Sequence, residues 1–221
     1  MQDRAILTRQ AILAAAAGVF EERGYRAATI SEILVRAGVT RGALYFHFSS
    51  KEDLAEGVIR EQDGRLPGVG PECVVQQLVD TVVLHAHRLR TDPVVRAGVR
   101  LALDQQAEGL DRGGSFRRWG EVGTGLLEQA RERGELLPHV VPAQTAGVLV
   151  GAFAGVQALS RSLSGYQDLP RRVTDLLRHV LPSVVIPPVL AAVDLSETRG
   201  AWVQEQLHDT GGVPGPAPLI T

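Results

Sequence analysis

TISEILVRAGVTRGALYFHFSSK, residues 29–51, holds two helix starts separated by one glycine stop. Thr29 followed by Glu32 is a capping box, in which each side chain satisfies one orphan amide of a helix beginning there. Ile30, Ile33, Leu34 and Ala37 then fall at i, i+3, i+4 and i+7, a single apolar stripe. Gly38 ends the helix, because glycine turns left-handed at no steric cost. Thr40 caps a second short helix running through Tyr45 to about Phe46, and Val39 plugs the turn between them. The pattern predicts a helix-turn-helix.

What the second helix shows to solvent is chemistry suited to a DNA groove. Thr40, Arg41, Gly42, Tyr45 and His47 offer a bidentate donor, hydroxyls, an imidazole and a position without a side chain, while Leu44 stays inside. An arginine fork fits the O6 and N7 edge of guanine, worth roughly 1–3 kcal/mol of discrimination, and Lys51 fits a phosphate. Thr29 and Ser31, at the start of the first helix, complete this candidate set.

Taken with AILAAAAGVFEERGYRAATI upstream, the stretch resembles the amino-terminal domain of TetR-type repressors. Gly24 and Tyr25 match the end of that family's first helix, and Tyr45, Phe46, His47 and Phe48 match its aromatic-rich recognition helix. RAGVRLALDQQAEGLDRGGSFRRW, RGELLPHV and SGYQDL resemble one branch, the γ-butyrolactone receptors of actinomycetes. The resemblance covers nearly all of the chain except about the last dozen residues. It implies an all-α fold and a repressor that leaves a palindromic operator when a lactone-type signal binds, controlling secondary metabolism or antibiotic production. It also implies phosphate contacts from the start of the first helix, where Arg4, Thr8 and Arg9 stand.

Composition is consistent with this. The net charge of −2 is unevenly spread: residues 1–51 hold seven Lys and Arg against four Asp and Glu, so the remainder is acidic. The basic excess sits beside the candidate DNA helix. Cys73 is the only cysteine, which excludes a disulfide framework or thiolate cluster and suits a reducing cytoplasm. No charged-then-apolar signal pattern opens the chain. The longest apolar run, Gly147–Leu159, is too short to span a bilayer and reads as a buried helix.

Three domains are expected: the helix-turn-helix domain over 1–51, a helical ligand-binding and dimerisation domain over 52–208, and a disordered tail over 209–221. The first helix is expected from Asp3 to Arg23, with Gly24 at its end. Ser50 and Asp53 form a second capping box, opening a helix to about Asp63, and Gly64 to Pro71 break the chain. Further helices are expected at 73–90, 94–106, 116–133, 142–164 and 168–181, then around 189–208. Residues 108–115 form a Gly-rich loop without a phosphate-cradling pattern. His85 and His87 point to different helix faces, which argues against a shared metal. Gly147, Gly151 and Gly155 make a ridge that another helix of the chain, a ligand or a second subunit occupies.

A large apolar body beside a DNA reader is economically explained by small-molecule sensing. By resemblance, Trp119 lies near a bound lactone; by the residues alone, a lone tryptophan also fits the core. Gln62, Val82, Leu84, Phe153, Gln157 and Ser160 are candidates to surround a tail and a polar head. Burying about six methylenes at roughly 0.8 kcal/mol each nearly matches the ~5.5 kcal/mol that inverts a two-state population. One short recognition helix covers few base pairs, so two half-sites read by a two-fold homodimer are expected. The family places that interface on the late helices, here 147–159 and 168–190. No cofactor or catalytic metal is expected, and no nucleophile elbow, zinc pair or cofactor fingerprint marks an enzyme. The alternatives are a regulator answering to a butenolide, furan or antibiotic, or to nothing, and a helical carrier or enzyme.

Overall fold

The computed structural model describes residues 2–62, 73–103, 110–111 and 113–209. Among them there are helices and no strand, only an isolated bridge between Leu136 and Val185. In chain order they are α1 (Gln2–Ala27), α2 (Ile30–Ala37), α3 (Arg41–His47), α4 (Lys51–Gln62), α5 (Val74–Thr91), α6 (Pro93–Leu103), α7 (Gly114–Glu132), α8 (Pro142–Ser164), α9 (Leu169–Val180), α10 (Pro187–Ala192) and α11 (Arg199–Asp209). A 3-10 turn, Leu181–Ser183, follows α9.

Two compact units form, Met1–Gly64 with Thr91–Ser115, and Arg65–Arg90 with Phe116–Thr221. The first therefore runs past the expected boundary at residue 51, because α4 and α6 pack with α1. Its core holds Ile12, Ala16 and Phe20 of α1, Ile33 of α2, Leu44 of α3, Leu54 and Val58 of α4, and Ala97 and Leu101 of α6. Gly57 is required by space: a Cβ there would come within 3.0 Å of the Phe48 ring and 3.1 Å of Leu13. Gly24 interrupts α1 at φ 78°, as expected of a helix stop, and one more helical turn follows it. Arg96 Nε donates to Glu21 at 2.8 Å, and Arg100 donates to the Glu21 carbonyl, which ties α6 to α1.

The second unit is built on α5. Its first turn is capped from a distance by Glu135, whose carboxylate accepts from the Val74 and Val75 amides at 3.1 and 2.9 Å. Buried Asp80 takes both arms of Arg199 at 2.8 Å, and Arg88 donates to Gln204, so α11 is fastened along α5. Gly200 lets the two backbones meet, since a Cβ there would collide with the Val83 carbonyl. At the α8–α9 joint Gly165 and Tyr166 are both left-handed, φ 58° and 72°. Asp168 accepts from Ser160 and Ser164 at 2.6 Å and from Arg172 at 2.6 Å.

Several expectations change. The last helical stretch is two helices, because the Asp194 carboxylate takes the Ser196 amide and the Asp194 amide bonds Gln76 on α5. Asp209, expected in the tail, ends α11; the rest of the expected tail, residues 210–221, lies outside the described residues, as do the whole breaker cluster and residues 104–109. Ser50 caps the Asp53 amide at 3.1 Å, but the return bond from the Asp53 carboxylate reaches Ser49, one residue earlier than a capping box requires. The expected buried apolar helix is the largest departure. α8 is a 23-residue helix long and apolar enough, by length and composition, to cross a membrane, and only 22% of its most apolar window is buried within the chain. Among the described residues, nothing outside α8's own neighbouring backbone lies within 4 Å of a Cβ placed on Gly147, Gly151 or Gly155, so no described helix of the same subunit fills that ridge.

Candidate nucleic-acid interface and ligand site

The helix-turn-helix is assembled from local bonds. Thr29 Oγ1 accepts from the Glu32 amide at 3.2 Å, and the Thr29 amide donates to the Glu32 carboxylate at 3.1 Å. Those bonds hold Glu32 below the usual carboxylate range. Gly38, at φ 64° and ψ 31°, closes α2 with its amide on the Val35 carbonyl. Thr40 Oγ1 then accepts from the Ala43 amide at 3.2 Å and starts α3. Leu44 is wholly buried and Phe48 nearly so, and this pair at i, i+4 pins the helix to the core.

Pinning Leu44 inward turns the rest of α3 outward. Arg41 and Gly42 are exposed, Tyr45 is 42% exposed and Phe46 is 79% exposed. The Arg41 guanidinium stacks over the Tyr45 ring, 5.5 Å from its centroid, which orients the fork without occupying its donors. Phe46 meets His47 edge-on at 5.0 Å. A fully outward phenylalanine on this helix offers an apolar contact for a thymine methyl or sugar. It was not among the residues expected to touch DNA, although Leu44 and Phe48 inside already require position 46 to face out.

Around α3 stand the candidates for the phosphates. Arg9 lies over the Phe48 ring at 5.3 Å, which brings the start of α1 beside the end of α3. Arg4 is exposed, and Thr8 donates to the Arg4 carbonyl. Lys51 is half-buried: its ammonium sits 4.7 Å over the Tyr25 ring and 3.4 Å from the Arg26 carbonyl, and burial lowers its pKa. Tyr25 donates to Glu52 at 3.0 Å; burial and that bond push the phenol up to about 12. Thr29 and Thr40 are committed to capping, while Ser31 is exposed in a shallow groove with Val35, between the ion pairs Arg36–Glu22 and Arg23–Glu32.

In the second unit α5, α7 and α8 bring three rings together. His85 packs 4.9 Å from the Trp119 ring and 5.4 Å from the Phe153 ring. Burial, reinforced by Arg88, drives the His85 imidazole down to about 4, so it is neutral near pH 7. Phe153 and Gln157 lie one turn apart on α8, and Gln157 is buried. Val82 is half-buried one turn before His85, and Leu84 is buried. Ser160 is held by Asp168, and of Gln62 only the backbone at the end of α4 is described. The sequence sets His85 beside His87 on a different helix face and gives no sign of this ring cluster. The described residues contain no cluster of metal-ligating side chains.

A capped helix-turn-helix and a separate helical unit with a half-buried aromatic cluster define a ligand-responsive regulator in form. Residues 12–58 match the model for bacterial regulatory proteins of the TetR family, and residues 73–187 match the tetracyclin repressor-like C-terminal domain. The chain belongs to the TetR family. It is 41% identical over 194 residues to the A-factor receptor protein of Streptomyces griseus, covering 87% of this chain and 69% of that protein. Native full-length TylP, a TetR regulator from Streptomyces fradiae, superimposes with a TM-score of 0.86 at 47% identity, over 92% of this chain and 98% of that one. A γ-butyrolactone receptor described as ArpA-like superimposes with a TM-score of 0.64 at 29% identity, over 92% of this chain and 99% of that one.

Proposed function

We propose that this TetR-family protein is a homodimeric transcriptional repressor that binds a palindromic operator and releases it when a γ-butyrolactone-type signal binds. The observation that carries the DNA half is α3, locked by Leu44 and Phe48 with Arg41, Tyr45 and Phe46 turned outward. TetR regulators bind operator DNA as dimers. In this reading Arg41 and Phe46 meet base edges, Gly42 admits the backbone closely, Tyr45 and His47 flank them, and Arg9 and Lys51 meet phosphates.

The second subunit takes the open ridge of α8. Val148, Leu159 and Leu163 are 62%, 48% and 67% exposed along that helix, and burial against a two-fold copy removes them from water. The effector half rests on the His85, Trp119 and Phe153 cluster together with similarity to the A-factor receptor and a γ-butyrolactone receptor. The protein works as a cytoplasmic regulator of secondary metabolism and not as an enzyme.

Footprinting on the DNA upstream of its own gene tests this reading. A two-fold symmetric protected region, lost on adding a long-chain γ-butyrolactone, is expected. Protection that the lactone leaves intact would keep the repressor and remove the lactone. Absence of protection there and on genomic fragments would overturn the repressor.

A further inference from the structure

The outer face of α2 carries the most exposed large apolar side chain among the described residues. Val35 is 84% exposed, whereas Ile33 on the same helix is wholly buried and Leu34 packs against the core. Val35 borders a groove between α1 and α2 whose other walls are Val19, Glu22, Arg23, Glu32 and Arg36. The charges cross it as two ion pairs, Arg36 with Glu22 at 2.7 Å and Arg23 with Glu32 at 3.8 Å, and they sum to zero. Arg36 is held flat along α1 because Gly18 has no side chain: a Cβ there would stand 2.6 Å from its guanidinium.

These features restrict what can dock on the face. Glu22 and Glu32 repel a phosphate, and a partner of one net charge loses to one pair of side chains what it gains from the other. A surface that fits a copy of itself needs each sign opposite the other across a two-fold axis. α2 meets that condition. Glu32 and Arg36 stand one turn apart on the same side of the helix, so when two α2 helices pack antiparallel, Glu32 of each faces Arg36 of the other. The two Val35 side chains then cover each other beside the charges. Glu32 and Arg36 stay partly exposed within their own pairs, which leaves them open to a second partner.

We infer that this face of α2 is where a neighbouring copy of the protein docks on DNA, so that dimers fill adjoining sites cooperatively. This rests on the operator reading above and adds a contact between dimers. α3 follows α2 after one tight turn, so the face stands beside the DNA that α3 reads. α2 is eight residues, about 12 Å long, and a contact of that length buries far less than a lasting association in solution needs. Dimers free in solution therefore do not hold together through it. Dimers set side by side on one duplex do, at the effective concentration that the DNA imposes.

Gel-shift titration of the full-length protein tests it on fragments carrying one copy of its footprinted operator or two, with the spacing of the two stepped by single base pairs through one helical turn. Cooperativity is read as the ratio of second to first affinity within each protein, so a change in single-site binding cancels. Wild type is expected to bind its second dimer at least about tenfold more tightly than the first at the favoured spacing, a factor that burial of two valines can supply. Val35→Asp is expected to bind the single site and to fill the two sites independently. Independent filling by wild type at every spacing would overturn the inference while the operator reading stands. Cooperativity that survives in Val35→Asp would overturn it too, since the coupling would then run through the DNA. Should wild type bind no single site, the operator reading falls and the inference with it. The wild-type spacing series needs no substitution, so it decides even if the variant does not fold.

Discussion

Arg41 and His85 carry the two halves of the account in single side chains. The Arg41 guanidinium is exposed and stacked on Tyr45, which leaves its N–H groups turned to solvent on the recognition helix. Arg41→Ala is expected to lose roughly 1–3 kcal/mol per half-site and to relax base preference, read by binding to the operator and to single-base variants of it. Operator affinity equal to wild type would remove Arg41 from base reading. His85 gives a pH signature in stability. Its folded pKa of about 4 lies below the unfolded value of 6.5, so the unfolded chain binds more protons between those limits. The stabilising contribution is complete above pH 6.5 and falls as pH drops toward 4. Urea unfolding at pH 7 and pH 5 is expected to show wild type losing up to about 2 kcal/mol more than His85→Gln. Equal losses would mean that the imidazole is not buried neutral.

At the scale of helices, the most consequential contact is the long-range cap on α5. Glu135 leaves the α7–α8 connection and places its carboxylate on the Val74 and Val75 amides, against the positive end of the helix that carries His85. Glu135→Ala leaves two buried amides without partners and is expected to destabilise the protein by about 2–4 kcal/mol, measured by thermal or chemical unfolding. A loss below about 0.5 kcal/mol would show that the cap is dispensable. The α8 ridge gives the opposite kind of test. Gly151 has open space beside it, so Gly151→Trp should leave the fold intact by circular dichroism. It should also weaken the dimer at least tenfold in sedimentation equilibrium. An unchanged dimer would place the interface elsewhere.

Across the whole molecule, what was legible in the sequence was whatever depends on neighbours in sequence. The Thr29–Glu32 cap, the Gly38 stop, the Thr40 cap and the proline start of α8 are all in place, because each is decided within four or five residues. What was not legible depends on distant partners. The break between α10 and α11 rests in part on Asp194 meeting Gln76, 118 residues away, and the outward ridge of α8 rests on which helices fail to cover it. Of the outward side chains of α3, the sequence pointed to Arg41 and Tyr45 but not to Phe46. Of the three rings in the second unit's cluster, Trp119 is marked by resemblance and Phe153 by the apolar character of its helix. His85 is not legible there, because nothing local shows that two aromatic rings from other helices pack against it.

Whether one chain couples a DNA reader to a lactone sensor is decided by fluorescence anisotropy on a labelled operator fragment. Salt is titrated first, then a γ-butyrolactone at fixed salt. Tight binding that weakens steeply with salt and is reversed by the lactone in a saturable manner is expected. Binding that is tight and salt-sensitive but indifferent to lactone at any soluble concentration would contradict it.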